Sequence, residues 1–184
     1  IAAILARMAK GAVHLIFFNT VPNYANATGL TLETLTMVTQ GIVASGGTSI
    51  GCGVQYLADR GLVVDGIALI SDGGENELPY LAPTWRRYAD RVGVEPTVYW
   101  YQVPTNGLSH SRGTALREEV EQFTARCRAV GLDLQHFDLR SAGGVDYYSL
   151  PNLVQTMRTN RYSLVDEIMA QPLRKVGEVL KPRE

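Results

Sequence analysis

Two glycine turns carry the oxygen atoms best suited to chemistry in this chain. The first, Ala44-Ser45-Gly46-Gly47-Thr48-Ser49-Ile50-Gly51, offers the hydroxyl of Thr48; the second, Ile70-Ser71-Asp72-Gly73-Gly74, offers the carboxylate of Asp72. A hard cation such as magnesium takes oxygen ligands at about 2.0–2.1 Å, and glycine lets a backbone turn sharply around such a site. Thr48 and Asp72 are therefore the candidate metal ligands. Each also has an ordinary structural use, as a turn hydroxyl and as a loop or helix-capping carboxylate. Ser49 reads as a helix N-cap, with support of the metal ligands as its other use; Glu75 and Glu77 read as solvated loop carboxylates, with tuning of the site as the alternative.

Other chemistries find less in the sequence. A phosphate-cradling P-loop needs a lysine after its last glycine, and no lysine follows Thr48. His14, His110 and His136 fall on a strand, a loop and a strand, without the close spacing of a zinc site. His110 reads as an exposed loop residue. A serine hydrolase would need a GxSxG elbow, which Ser71 lacks. Tyr99, Trp100 and Tyr101 could stack bases, but alternating aromatics on a covered strand read as core. Arg86, Arg87 and Arg91 read as a solvated helix face. The two cysteines, Cys52 and Cys127, sit in helical patterns and read as small apolar core residues. Such usage fits a reducing, cytoplasmic compartment.

The elements that must position Thr48 and Asp72 follow from hydrophobic spacing. Residues 1–10 read as the end of a helix stopped at Gly11. Residues 12–19 are apolar on both faces, the mark of a doubly covered strand. Val21 to Ala27 suits an edge strand, since Pro22 cannot donate to a ladder. Leu32, Leu35, Val38 and Ile42 predict a helix over 31–44, and Ile50, Val54, Leu57 and Ala58 predict another that closes near Gly61. Residues 63–71 form a second buried strand, ending at Asp72. A helix over 81–92, a β-rich run over 97–103, a polar loop over 104–113 and an amphipathic helix ending at Gly131 come next. The strand over 132–140 changes parity, which a bulge or two covered faces would explain. Short helices near 150–158 and 163–170 precede a charged tail.

Strands alternate with helices, which predicts an α/β fold: a doubly wound, mostly parallel sheet with helices on both faces. The α/β core spans 1–140, and 141–184 complete or flank it. Sites in such sheets lie outside the carboxyl ends of strands, where Asp72 falls. A chain of 184 residues with a 46% hydrophobic fraction can build one real core. Its net charge of -1 supplies no electrostatic case for nucleic acid or an anionic membrane. No apolar run approaches the roughly 20 residues that span a bilayer, and no basic flank marks a signal peptide ahead of Ile1.

These residues resemble a von Willebrand factor A domain. The resemblance covers strand 12–19, the Gly46-Gly47-Thr48-Ser49 turn, strand 63–71 and Ser71-Asp72-Gly73. Within that family the chain looks most like the A domains at the C-terminal end of Ro/TROVE-type RNA-binding proteins, where a similar acidic loop follows the strand, here Asp72 to Glu77. The resemblance implies a metal-ion-dependent adhesion site. Thr48 would offer its hydroxyl to a magnesium-like ion, and Asp72 would bind it directly or through a water. A partner's carboxylate would complete the sphere, and the family's remaining ligands come from a DxSxS motif on its first strand.

The chain departs from that pattern in one respect. No aspartate occurs in residues 1–45, so DxSxS is missing, and the family's first, central strand would precede the helix that opens this chain. Leaving a central strand out strands several buried backbone groups at about 1–3 kcal/mol each, against a total stability of about 5–15 kcal/mol. The expectation is that another polypeptide segment supplies that strand. The resulting expectation is a non-enzymatic protein-interaction module with a conditional divalent-cation site, in a larger Ro-like assembly whose RNA contacts lie on other parts. The alternative is a magnesium-dependent hydrolase or phosphotransferase on a Rossmann-like sheet.

Overall fold

The computed structural model describes residues 9–43, 46–103 and 110–138. The described residues belong to one compact unit, Ile1–Val145. The helices expected at 1–10, 150–158 and 163–170, the tail, and the boundary at 140 lie outside the described residues or at their margin.

The chain first forms an antiparallel pair, β1 (His14–Phe18) with β2 (Pro22–Asn26). The Val13 carbonyl accepts from the Ala27 amide at 2.8 Å, so parity turns residues 13, 15 and 17 toward β2. Pro22 stands opposite Phe18, at a position that exchanges no ladder bond, and its missing N–H costs nothing there. The expected double cover over 12–19 is not what forms. All of β1 is half-buried, because its nearest strand is a hairpin partner instead of the parallel neighbours its apolar run suggested.

Helix α1 (Leu32–Gln40) is capped by the Thr31 side chain, which accepts from the Thr34 amide at 3.2 Å. It buries Leu35 against Ala27, Val13, Leu15 and Leu30. It is shorter than the expected 31–44, and Leu32 and Met37 stay exposed.

Helix α2 (Gly51–Asp59), strand β3 (Gly66–Ser71), helix α3 (Leu81–Val92), strand β4 (Thr97–Gln102), helix α4 (His110–Ala129) and strand β5 (Leu134–Asp138) then follow in order. The strands form a parallel sheet in the order β3-β4-β5, with Leu69 opposite Trp100 and Trp100 opposite His136. Helices and parallel strands alternate here as the sequence predicts, so a small mixed α/β arrangement of the Rossmann-like kind is what this part builds. Gly93, at φ 71°, stops α3 in the left-handed conformation.

Three expectations along this stretch change. Strand β3 begins at Gly66 and not at 63, and it is not buried throughout, since Gly66 and Ile70 are exposed. Helix α4 begins at His110, so the polar loop does not extend to 113. Strand β5 begins at Leu134, and its two parities face two different surfaces: His136 stacks on Trp100 at 4.1 Å while Phe137 stacks on Tyr101 at 5.1 Å. No bulge is needed.

One buried cluster joins α2, α3, α4 and the parallel sheet: Val54, Leu57, Leu69, Leu81, Trp85, Tyr88, Val98, Trp100, Phe123 and Cys127. Ile16 and Phe18 of β1 pack against the same cluster. Helix α2 packs on the hairpin and on α3, and among the described residues no ladder joins the two sheets. Trp100 and Tyr101 are core, as the aromatic run predicts, and both cysteines are buried and free. Arg86 pairs with Asp90 and Glu95, while Arg87 and Arg91 are exposed. Among the described residues, no helix is long and apolar enough to cross a membrane.

Candidate functional site

The second glycine turn lies at the carboxyl end of β3, and the loop that follows it, at Asn76 and Glu77, is what reaches the first turn. Ser71 ends that strand, and its carbonyl accepts from the Val103 amide and from Trp100 Nε1, each at 3.1 Å. Its Oγ accepts from the Gly73 amide at 3.1 Å. Gly73 has φ +90°, and a Cβ there would stand 2.6 Å from Trp100 Cζ2. Only glycine gives both that backbone and that approach. Asp72 is held from two sides. Its Oδ1 accepts from the Gly74 amide at 3.0 Å, and its carbonyl accepts from Gln102 Nε2 at 3.0 Å. Gln102 Oε1 in turn meets His136 Nε2 at 2.9 Å.

The chain then folds back onto the first turn. Asn76 Oδ1 accepts from the Thr48 amide at 2.7 Å, while the Asn76 and Glu77 amides both donate to the Thr48 carbonyl at 3.0 Å. Ser49 Oγ donates to the Pro79 carbonyl at 2.8 Å, and the Ser49 amide donates to the Asn19 carbonyl at 2.6 Å. Gly51 has no room for a side chain, because a Cβ would run into the Pro79 and Tyr80 backbone. Gly47 is equally tight against Glu77. The turn bearing the Thr48 hydroxyl and the loop that follows the Asp72 carboxylate are thus one interlocked rim.

Two sequence-based assignments at this rim are corrected. Ser49 is not the N-cap of α2. Ile50 takes that position without a side-chain cap, and Ser49 is fully buried, tying the turn to Pro79. Glu75 is not a solvated loop carboxylate. Its side chain is 1% exposed, and its Oε1 accepts from the Leu81 amide at 2.6 Å, at the start of α3. The Gly51 and Ile50 amides at the start of α2 also reach it. Arg126 Nη2 on α4 lies 3.5 Å from its Oε2.

Glu75 therefore serves helix starts whose own N-cap residues, Ile50 and Tyr80, make no capping bond. For α3 the sequence held a partial signal, since Tyr80 before it cannot cap; for α2 it held none, because Ser49 stands where a cap would be expected. Burial pushes the Glu75 carboxyl up to about 7, against the pull of the Leu81 amide, Arg126 and the Gly51 and Ile50 amides. Burial also pushes the neighbouring Cys127 thiol up to about 12. The Cys52 thiol is raised by burial too, less the effect of its hydrogen bond with Ser49.

The three histidines are dispersed. His14 Nδ1 meets Tyr24 Oη at 3.0 Å on the hairpin, His136 stacks on Trp100, and His110 opens α4. Among the described residues, no group of three or more His, Cys, Asp or Glu side chains could hold a metal. Thr48 and Asp72 supply two hard oxygen donors of the kind magnesium accepts, an incomplete set that water or another chain would have to fill.

Comparison of the chain with protein-family models, curated proteins and solved structures finds no match.

Proposed function

We propose that this chain is a protein-interaction module of the von Willebrand A type, acting through a divalent-cation site at the rim of its parallel sheet. The observation that carries the reading is the lock of Asn76 onto Thr48. It holds a hydroxyl-bearing turn against the loop that follows Asp72, at the carboxyl end of β3, where open α/β sheets bind ligands.

Thr48 and Asp72 would hold magnesium or another divalent cation, which when bound would supply a Lewis-acidic position for a partner's carboxylate. Asp72 contributes charge and Thr48 a neutral oxygen, so an incoming carboxylate meets a site with positive charge to spare. The remaining ligands would come from an Asp-x-Ser-x-Ser segment on a strand supplied by another polypeptide. The open edge that β3 presents among the described residues is compatible with such an addition. The setting in this reading is a cytoplasmic, Ro-like assembly in which RNA contacts fall on other parts.

The test is calorimetric. Magnesium is titrated into the chain together with a strand peptide carrying Asp-x-Ser-x-Ser, beside the variants Thr48→Ala and Asp72→Ala. Binding heat that disappears in both variants supports the reading. Heat that persists unchanged in both, or no heat in any of the three, overturns it. Native mass spectrometry of the purified chain gives an independent view: a tightly held second polypeptide with that sequence is the expected companion.

A further inference from the structure

We propose that Glu75 is a proton-operated pin that joins the starts of α2 and α3 and thereby sets the geometry of the rim between the Thr48 turn and the Asp72 loop. The inference stands on contacts that are independent of any cation. Glu75 lies on the loop that locks onto Thr48, and its carboxylate is buried where two helices begin. The Leu81 amide donates to it from α3, and the Ile50 and Gly51 amides reach it from α2.

The groups that face it explain why a proton matters. From α4 come Arg126, whose guanidinium also lies 4.9 Å over the Tyr80 ring, and the buried thiol of Cys127. The thiol stays neutral through the physiological range, being held up to about 12. Asp72 and Glu77 share its loop, and Glu119 on α4 lies beside Gly74. Arg126 is therefore the one cation among these groups. Its Nε is buried without a hydrogen-bond partner, so its hold on the carboxylate rests on Nη2 at 3.5 Å.

Ionised, the carboxylate is an acceptor at every lone pair, which suits backbone amides pointing out of two helix starts. Protonated, it gains one O–H donor and loses charge, so it accepts more weakly from those amides and leaves Arg126 without a counter-charge. Burial opposes ionisation and outweighs the amides and Arg126 that favour it, so the carboxyl rises to about 7 and both protonation states are populated near neutrality.

The experiment is an NMR pH titration of the full chain with a chelator present, so that its outcome does not depend on the cation reading. The Glu75 side-chain carboxyl carbon is followed together with the amide protons of Ile50, Gly51 and Leu81, in the wild type and in Glu75→Gln. The expected result is a Glu75 midpoint at about 7, amide shifts that move with the same midpoint, and loss of that amide titration in the variant. A Glu75 midpoint among ordinary glutamates, near 4.3, overturns the proposal, as do amides that ignore the Glu75 titration. If Glu75→Gln fails to fold, the wild-type midpoints alone decide between these outcomes.

Discussion

The Thr48 amide donates to Asn76 Oδ1 at 2.7 Å, across 28 residues of sequence. The Thr48 carbonyl receives the Asn76 and Glu77 amides in return. Both backbone groups of the residue between the glycine turn and α2 are therefore satisfied by one short loop, and that loop begins at Asp72. Gly73, Gly74 and Glu75 are all that separates Asp72 from the residue that holds Thr48.

Removing the Asn76 side chain takes away the 2.7 Å bond while leaving the two backbone bonds to the Thr48 carbonyl. Because the site is solvent-accessible, water can replace part of what is lost. Asn76→Ala should lower unfolding stability by about 1 kcal/mol and speed hydrogen exchange at the Thr48 amide. Urea melts and exchange rates check both. Unchanged exchange at Thr48 would mean that the lock is not maintained in solution.

Gly51 and Gly53 lie two residues apart in α2 and should respond in opposite directions to alanine. A Cβ on Gly51 would collide with the Pro79 and Tyr80 backbone, which cannot move aside as a flexible side chain would. Gly51→Ala should destabilise by about 1–3 kcal/mol. A Cβ on Gly53 meets the Ile16 side chain, no closer than an ordinary 3.6 Å. Gly53→Ala should stabilise by about 0.4–1 kcal/mol, the usual gain where alanine can take the glycine's backbone conformation without strain. Denaturant midpoints for the two variants measure the contrast.

Tyr88 fastens the segment between α2 and β3. Its hydroxyl donates to the Leu62 carbonyl at 2.8 Å and accepts from the Val64 amide at 3.0 Å, with the tyrosine fully buried. Tyr88→Phe keeps the ring and strands both backbone groups, so a loss of about 1–3 kcal/mol is expected. A melt indistinguishable from wild type would show that water or a shift of the segment satisfies them.

Stability should also depend on pH through Glu75. Its carboxyl rises from an ordinary 4.5 to about 7 in the folded chain, chiefly through burial. A raised folded value means that the unfolded chain ionises first as pH increases. The contribution is complete below 4.5 and is lost as pH rises through about 7, amounting to at most about 3 kcal/mol. The difference in unfolding free energy between the wild type and Glu75→Gln should therefore shift against the wild type between pH 4.5 and 8. A difference that stays constant, or shifts the other way, would contradict the assignment.

Much of this architecture was legible from local pattern. The spacing of Trp85, Tyr88, Ala89 and Val92 places α3 over 81–92, because a helix turns every 3.6 residues, and the helix forms over Leu81–Val92. The aromatic run of β4, and the break into β3 ahead of Asp72, are likewise local events.

What tertiary structure alone decided involves partners distant in sequence. Residues 12–19 read as a doubly covered strand, yet β1 pairs antiparallel with β2, since an apolar run records that cover is wanted and not which strand supplies it. Glu75, in a polar loop of Gly, Asn and Glu, reads as solvated. Its burial depends on Ile50, Gly51 and Leu81 converging on it and on Arg126, 51 residues away, and no local periodicity encodes that convergence. Ser49 reads as a cap because serine before a helix usually is one; the carbonyl of Pro79, 30 residues on, claims its hydroxyl instead. Side-chain type determined which groups could form these bonds, and the packing of α2 against α3 determined which bonds formed.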